Sequence, residues 1–366
     1  MMKIVIAPDS YKGTYSSIEI SLAIEQAIHK VDSRITTVKI PISDGGDGFL
    51  DCFKEQNGVV VQEVPSFNSM MKPLLSKYII LNQEIAIIEL AATVGLSKVE
   101  INHLMESTTY GVGIQILDAL SKGIRRFILG IGGSATADAG VGILQALGCV
   151  FLNPQQSPFF PKSGSLEEID DIDLTGLVKG AKESQFTIYS DVTNPLLGKL
   201  GANHIYSKQK GADEAMILDL ERNMTHFSMF LSRRYGFSTD YEGAGAAGGC
   251  SVSLKCFLHA KVVRGIESLL ELLSFQSQIE DASLLITGEG KLDEQSFYGK
   301  VLDGILSKAN QFHIPVVSIS GQIDGLFERE GLRAISLFES SKEALKHRDQ
   351  TLKRLEVEVI KLVQSL

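Results

Sequence analysis

Short apolar runs alternate with segments of helical period along much of the chain. Lys3–Ala7 is apolar without alternation, which predicts a strand buried on both faces of a sheet. After Ser16 and Ser17, which can cap a helix, apolar positions recur at helical spacing from Ile20 to Ile28. Further strand-like runs are Arg126–Leu129, followed by a helical period over Thr136–Leu147, then Ser283–Thr287 and Pro315–Ser320. Strands alternating with helices predict an α/β fold with a parallel sheet.

Two segments depart from this order, and a helix follows at the end of the chain. From Pro65 to Leu90 several strand-like runs follow one another without a helix, which favours antiparallel or mixed pairing. The polar, proline-containing stretch Asn153–Gly164 predicts a long surface loop. The closing segment Ser341–Leu366 has an apolar stripe at helical spacing and predicts a helix.

The length of 366 residues suits two domains. We expect two α/β domains, of which one is Rossmann- or flavodoxin-like. Both chain ends, residues 1–65 and 284–366, form its parallel sheet, and residues 66–283 form an inserted domain with a mixed sheet. The active site is expected in the cleft between the domains, because closure of such a cleft excludes water from a reactive phosphate.

Composition narrows the classes of protein. Hydrophobic residues make up 44% and charged residues 22%, which argues against disorder. The net charge of −9 disfavours a nucleic-acid partner. No run approaches the roughly 18 apolar residues of a membrane span, and the chain start lacks the pattern of a secretory signal. We therefore expect a cytoplasmic protein with no membrane partner, whereas the sequence leaves its oligomeric state unknown.

Glycine is in excess, at 34 residues of 366, and much of the excess lies in turns that follow predicted strands, where open α/β sheets bind ligands. The first turn carries Asp9, Ser10 and Lys12, which suit a small anion or a phosphate. The second, SDGGDG, carries Asp44 and Asp47, two carboxylates that could hold Mg²⁺ or accept a proton. An ordinary solvated turn is the alternative for both.

The third turn, GIGGSATADAG, lies between a strand and a predicted helix. Backbone N–H groups there, with the hydroxyls of Ser134 and Thr136, could form a phosphate-binding nest around Gly132 and Gly133. GIGGSA also satisfies the dinucleotide-binding pattern, which expects an acidic residue about 20 positions further on. The sequence GCVFLNP at that distance has no acid, which weakens the dehydrogenase interpretation.

Two later strand ends also carry carboxylates. Asp191 follows a strand-like run and is placed as a base for a hydroxyl or as a metal ligand, with an Asx turn as the alternative. TGEGKLD brings Gly288, Glu289 and Asp293 to the end of another strand. GAGAAGG follows a polar run, so its formal dinucleotide pattern carries little weight. Phosphate nests and strand-end aspartates together favour phosphoryl transfer, with the acceptor unspecified.

As a set, these motifs resemble the bacterial glycerate kinase family of type I. The segments that carry the resemblance are KIVIAPDSYKG, PISDGGDG, IIELAATVGL, STTYGVG, ILGIGGSATADAGVG, SDVTNPLLG, GAGAAGG and LLITGEGKLDEQS, which occur in the family's order. SFNSMMKP and AATVGL depart from its usual loops. The resemblance implies phosphorylation of D-glycerate by ATP with Mg²⁺, usually at the 2-hydroxyl, by a two-domain enzyme with an inserted domain.

The resemblance also implies roles for the turn residues. Asp191 would act as the catalytic base, Lys12 as a catalytic cation, and Asp9, Ser10 and Asp44 as substrate contacts. The expected ATP contacts are Gly132, Gly133, Ser134, Thr136, Gly288 and Glu289, and the expected Mg²⁺ ligands are Asp44 and Asp293. The alternatives are a kinase of another small hydroxy or sugar acid and a catalytically silent nucleotide-binding regulator.

Overall fold

A computed structural model describes residues 2–11, 14–98, 103–297, 300–325, 329–340, 343 and 347–366. Internal contacts divide the chain into two compact units. The terminal unit comprises Met1–Asp44, Asp51–Phe53 and Ile266–Leu366, and the inserted unit comprises Gly45–Leu50 and Lys54–Gly265.

These bounds differ from the boundaries expected from the sequence, 65/66 and 283/284. The chain first enters the inserted unit at Gly45 and leaves it after Gly265. One reason is that the strand Val59–Phe67 pairs along its whole length with Pro73–Leu81 of the same unit.

The secondary structure consists of short strands and mostly short helices. The strands are β1 (Lys3–Ile6), β2 (Thr36–Lys39), β3 (Val59–Phe67), β4 (Pro73–Leu81), β5 (Ile85–Glu89), β6 (Arg126–Gly130), β7 (Val150–Leu152), β8 (Pro158–Phe159), β9 (Asp171–Asp173), β10 (Gln185–Tyr189), β11 (Lys261–Val263), β12 (Leu284–Thr287), β13 (Lys291–Leu292), β14 (Val316–Ile323) and β15 (Leu332–Phe338). The α-helices are α1 (Ser17–Val31), α2 (Leu90–Val94), α3 (Tyr110–Ser121), α4 (Val141–Ala146), α5 (Lys179–Lys182), α6 (Ala202–Tyr206), α7 (Glu214–Tyr235), α8 (Cys250–Leu258), α9 (Gly265–Leu272), α10 (Phe275–Ile279), α11 (Val301–Gln311) and α12 (Thr351–Gln364). Short 3-10 helices span Leu50–Phe53, Leu96–Lys98, Leu104–Glu106, Ser163–Glu168, Lys208–Lys210, Ala246–Gly249, Glu294–Phe297 and Arg348–Gln350.

The terminal unit contains a parallel sheet built from both ends of the chain. Its strand order is β2-β1-β12-β14-β15, and β13 pairs with the last residues of β14. All of its strand pairs are parallel. The parallel pairing confirms the fold class predicted for the chain ends. β1 and β12 are buried along their length except at Lys3, as strands covered on both faces must be.

Helix α1 packs against this sheet as the sequence predicted. Ser16 caps it in a capping box, since its side chain accepts the backbone N–H of Glu19 and the Glu19 carboxylate accepts the N–H of Ser16. The buried positions Ile20, Ile24 and Ile28 repeat every four residues and join the apolar core of the unit.

The inserted unit contains a mixed sheet of order β11-β10-β6-β5-β4-β3. The pairs from β5 to β11 are parallel, whereas β3, β4 and β5 are joined in antiparallel pairs. The mixed sheet predicted for the inserted segment is therefore confirmed. A small antiparallel sheet of β8, β7 and β9 lies in the same unit.

Three predicted elements have different bounds in the structure. Helix α4 begins at Val141 rather than Thr136, because Ala139 and Gly140 have φ angles of +51° and +78°, which a helix excludes. The predicted loop Asn153–Gly164 contains β8 and the start of a 3-10 helix. Within the predicted helix Ser341–Leu366, α12 begins only at Thr351, and residues 341, 342 and 344–346 lie outside the described residues. Among the helices described, none is both long and apolar enough to cross a membrane.

Candidate functional site

The parallel strands of the inserted unit end in register. Glu89 pairs with Gly130, Gly130 with Tyr189, and Tyr189 with Val263. The segments that follow β6, β10 and β11 therefore leave the same edge of the sheet side by side. Parallel α/β sheets bind ligands at this edge.

Asp191 lies on this edge, two residues beyond the end of β10. It is half-buried, and its Oδ1 accepts a hydrogen bond of 2.8 Å from the N–H of Gly265, which follows β11. That bond fixes the direction of the carboxylate. A Cβ on Gly265 would lie 3.1 Å from the other carboxylate oxygen, which is a tight contact.

The neighbouring strand, β6, runs into residues 131–136, which we call the glycine loop. Leu96 donates its N–H to the carbonyl of Gly133 at 3.1 Å, and Ala135 donates to the carbonyl of Val94 at 2.8 Å. Gly133 is exposed and has a φ of +70°. In the described part of the chain, the N–H groups of Gly133 and Ser134 donate to no backbone carbonyl. Two successive amides at an exposed turn with positive φ can bind an anion.

The other predicted loop residues face the interior of the unit. Gly132 donates its N–H to the carbonyl of Gly45 at 3.0 Å, and a Cβ on Gly132 would lie 2.7 Å from the Cα of Gly46. Ser134 and Thr136 are buried. Close backbone packing therefore explains Gly132, and ligand contact from the loop is available mainly at Gly133.

The second glycine turn of the sequence packs against this loop. The Glu89 carboxylate accepts the N–H groups of Gly48 and Leu50 at 3.2 and 3.0 Å, which ties the turn to the end of β5. Asp47 is exposed, and its carboxylate oxygen lies 3.5 Å from where a Cβ of Gly133 would be. A carboxylate thus stands beside the exposed amide of the glycine loop.

The GAGAAGG turn has a packing role in the same unit. Gly248 has a φ of +67°, and a Cβ there would clash with the backbone of Thr136 and Ala137. Its carbonyl accepts the N–H of Ala139 at 3.1 Å. These glycines let two backbone segments approach each other, in keeping with the low weight given to their dinucleotide pattern.

A buried lysine supports the glycine loop from within. Lys210 donates from Nζ to the carbonyl of Thr136 at 2.7 Å and to Oγ of Ser134 at 3.3 Å. Burial lowers the pKa of Lys210 from 10.5 to about 8, and the nearby charge of Asp138 opposes that shift. Lys210 could not be recognised from the sequence, because a lone lysine in KQKGAD has no periodic or motif signal.

Asp138 is the second buried charge beneath the loop. Its carboxylate accepts hydrogen bonds from N–H and Oγ1 of Thr109, at 2.7 and 2.9 Å, and from the N–H groups of Gly140 and Gly142, both at 3.2 Å. Burial raises the pKa of Asp138, and these four donors oppose the rise. The residue lies within the quoted motif SATADAG, yet its role depends on donors that only the fold brings together.

The terminal unit has a cavity of about 330 Å³ at the ends of its parallel strands. Four predicted site residues, Asp9, Ser10, Asp44 and Glu289, line it. The other lining residues are Tyr11, Thr14, Gly290, Lys291, Lys300, Val301, Gly321, Phe338 and Thr351. The structure therefore brings together the predicted substrate contacts and one predicted ATP contact.

Hydrogen bonds fix several of the residues that line this cavity. The N–H of Asp9 donates to the carbonyl of Gly288 at 2.9 Å, and the N–H of Ser10 donates to Oδ1 of Asp9 at 2.6 Å. Tyr11 donates its hydroxyl to the carbonyl of Ile319, and burial together with the charge of Glu289 raises the pKa of Tyr11. A Cβ on Gly288 would clash with that same carbonyl, so packing within the unit accounts for this glycine.

The remaining predictions fall outside the cavity lining or outside the described residues. Asp293 does not line the cavity, and its carboxylate lies 3.6 Å from Nζ of Lys291. The same Nζ lies 2.8 Å from Asp324, whose hydrogen bond raises the pKa of Lys291. Lys12 lies outside the described residues.

Known proteins resemble this chain over nearly its whole length. Residues 4–364 match the glycerate kinase family. A Bacillus cereus protein named glycerate kinase is 38% identical over 336 residues, which cover 88% of this chain and 86% of the relative. An Escherichia coli K12 protein named glycerate 2-kinase is 37% identical over 345 residues, which cover 91% and 90% of the two chains.

The fold has a solved counterpart as well. A crystal structure assigned to glycerate kinase 2 of Salmonella typhimurium LT2 matches with a TM-score of 0.84 and 32% identity, over 100% of this chain and 98% of that chain. Sequence and fold thus agree across both units. The chain belongs to the glycerate kinase family and is a kinase.

Proposed function

We propose that the chain transfers the γ-phosphoryl group of ATP to the 2-hydroxyl of D-glycerate, giving 2-phosphoglycerate and ADP. The names of the relatives support the acceptor, and the E. coli glycerate 2-kinase supports the position. One observation carries the placement of the chemistry. The exposed Gly133 of the glycine loop and the carboxylate of Asp191 follow neighbouring strands, β6 and β10, at one edge of the sheet.

In this proposal Asp191 is the general base. Its carboxylate takes the proton of the 2-hydroxyl as that oxygen forms a bond to the γ-phosphorus. The bond from the γ-phosphorus to the bridging oxygen then breaks, and ADP leaves with the electron pair. The N–H of Gly265 holds the carboxylate in one orientation, which favours transfer from one hydroxyl of the substrate.

The glycine loop would bind ATP phosphates through the N–H groups of Gly133 and Ser134. Anion binding by successive backbone amides needs no side-chain charge and leaves the amides in place when the phosphoryl group moves. Ser134 and Thr136 are buried and would support the loop from its interior. Gly132 would allow the close approach of the loop to the turn at Gly45 and Gly46.

The cavity of the terminal unit would receive the polar end of a substrate. Ser10 and Lys300 offer donors for a carboxylate or phosphate, while Asp9, Asp44 and Glu289 suit hydroxyl groups. Lys12 and Gly288 keep their predicted parts in this proposal, as catalytic cation and as part of the ATP-binding turn. The expected cleft between two domains stays a prediction, which a crystal structure with ADP and D-glycerate would test.

Mg²⁺ would neutralise the phosphate charge when it is bound. Among the described residues, no group of three or more His, Cys, Asp or Glu side chains forms a metal cage. This fits Mg²⁺, which proteins commonly hold through one or two carboxylates together with substrate phosphates and water. Asp44 and Asp293 were predicted for this role. Asp47, beside the exposed amide of Gly133, is a further candidate in the inserted unit.

The use of ATP as phosphoryl donor also indicates in which compartment the protein works and what it binds. A kinase needs a compartment supplied with ATP, so we place the protein in the cytoplasm with glycerate and ATP as its partners. The net charge of −9 supports the absence of a nucleic-acid partner from this proposal.

The test is a coupled assay of ADP release with D-glycerate, L-glycerate and a panel of sugar acids. D-glycerate should give the highest kcat/KM, and NMR of the product should show phosphate on carbon 2. Turnover only with another acid would replace glycerate as the acceptor. Binding of ATP without turnover on any acid would favour a nucleotide-binding regulator.

A further inference from the structure

The most unusual charge in the inserted unit is the ammonium group of Lys210. It ends the short 3-10 helix Lys208–Lys210, after which Gly211 turns the chain with a φ of +90° toward α7. The residue is only 6% exposed, so the whole side chain points into the unit. A buried ammonium group loses its hydration and is retained only with compensating partners.

The partners of Lys210 belong to the glycine loop and to the segment directly after it. Nζ donates to the carbonyl of Thr136 and to Oγ of Ser134, at 2.7 and 3.3 Å. The charge of Asp138 lies nearby, and the thiol of Cys250 is also close enough to affect the pKa of Lys210. Asp138 is itself fixed by four donors. One amine thus binds two alternate residues of the loop, and a fixed carboxylate of opposite charge lies nearby.

Stability alone does not account for this arrangement. A well-packed apolar side chain of similar length often serves a buried site as well as a paired charge does. What the charge adds is direction, because an ammonium group can hold two acceptors at set positions. The acceptors are in residues 134 and 136, whereas the exposed amide belongs to residue 133.

We propose that Lys210 is a positioning residue for phosphoryl transfer, which holds the glycine loop from within so that the amides of Gly133 and Ser134 face the phosphates of ATP. This inference rests on the proposed function, in which the glycine loop binds ATP. Lys210 does not touch the substrate in this role. It acts through Ser134 and Thr136.

The test compares Lys210→Met with Lys208→Met, an exposed lysine of the same 3-10 helix. Loss of hydrogen bonds from a charged donor should raise KM for ATP by about 10-fold or more in Lys210→Met. KM for D-glycerate should stay within about 2-fold, since Lys210 bonds Ser134 and Thr136 of the inserted unit, and neither lines the cavity of the terminal unit. Lys208→Met should match the wild type in both constants.

Two further measurements keep the inference testable if Lys210→Met does not fold, and show separately whether the glycine loop binds ATP. Ser134→Ala removes one acceptor of Lys210 and keeps the backbone amide, and it should raise KM for ATP by about 2- to 5-fold. Hydrogen exchange of the wild-type enzyme with MgATP should show slower exchange at residues 133 and 134.

The outcomes separate the two proposals. Slowed exchange in the wild type, with an unchanged KM for ATP in folded Lys210→Met or in Ser134→Ala, would overturn the role of Lys210 and leave the ATP loop standing. Unchanged exchange in the wild type would remove the glycine loop from ATP binding, and the positioning role would fall with it. A fall in kcat of Lys210→Met with both KM values unchanged would also contradict the inference.

Discussion

The two units end their parallel strands in different ways. In the terminal unit, the segments after β1, β2 and β12 present side chains to a cavity of about 330 Å³. In the inserted unit, the segments after β5, β6 and β10 pack on other turns through their backbones, and two buried charges, Asp138 and Lys210, lie beneath them. The glycine-rich turns of the two units look alike in the sequence. Those of the terminal unit surround a cavity, whereas those of the inserted unit pack closely against other turns.

This difference shows how a glycine at a strand end should be interpreted. Gly132, Gly140 and Gly248 each have backbone atoms of the same unit where a Cβ would lie. Gly133 is the exposed member of its loop. A glycine-rich motif therefore marks close approach of the backbone, and only the fold decides whether a ligand or another turn makes that approach.

The largest loss of stability should follow substitution of Asp138, a fully buried carboxylate of the inserted unit. Asp138→Ala leaves four donors without their acceptor and the charge of Lys210 without compensation. Each buried donor left without an acceptor costs about 1–3 kcal/mol in the free energy of unfolding, and four donors lose their acceptor here. Urea denaturation measures the loss, with the exposed Asp240→Ala as a control that should stay within about 0.5 kcal/mol. Equal losses in the two variants would mean that buried charge does not support the glycine turns.

Close packing of the turns can be separated from backbone strain with two glycines of nearly equal φ. Gly248 (φ +67°) packs against Thr136, whereas Gly236 (φ +65°) has no atom within 4 Å of its Cβ position. Gly236→Ala should cost about 1–2 kcal/mol, the strain of a left-handed alanine. Gly248→Ala should cost about 1–3 kcal/mol more, because the turns must move apart. Thermal and urea unfolding measure both variants, and similar costs would show that the turns are not tightly packed.

The terminal unit should respond more mildly to the loss of a local contact. Ser16→Ala removes the cap of α1, and loss of such a cap costs about 1 kcal/mol. Ser33→Ala, an exposed serine in the turn after the same helix, is the control and should have almost no effect on the unfolding free energy. If Ser16→Ala lost as much unfolding free energy as Asp138→Ala, the expected difference between the two units would be contradicted.

Local patterns predicted most of the fold. The buried strand at Lys3, the Ser16 cap and the antiparallel run from Pro65 to Leu90 follow from periodicity and capping, which depend on near neighbours in the chain. The prediction for the start of α4 was wrong, because Ala139 and Gly140 have positive φ. Ala139 also donates its N–H to Gly248 of GAGAAGG, a contact with a residue more than 100 positions further on. Tertiary contact overrides local propensity at such a point.

The candidate site was predictable to the extent that its residues lie at strand ends. Asp9, Ser10, Asp44 and Glu289 do line one cavity, which strand order could suggest once the parallel sheet was predicted. The inward direction of Ser134 and Thr136 could not be predicted in this way. Their buried contacts include Lys210, which donates to Oγ of Ser134 and to the backbone carbonyl of Thr136, is distant in sequence and has no local signal of its own.

In the proposed mechanism, Asp191 at the edge of the inserted sheet takes the proton of the glycerate hydroxyl. The direct test is kcat of Asp191→Asn with D-glycerate and ATP, measured together with Kd for ATP. We predict a fall in kcat of about 100-fold or more, the scale of a lost general base, with Kd for ATP unchanged. Turnover close to that of the wild type would contradict the assignment of Asp191 as the base.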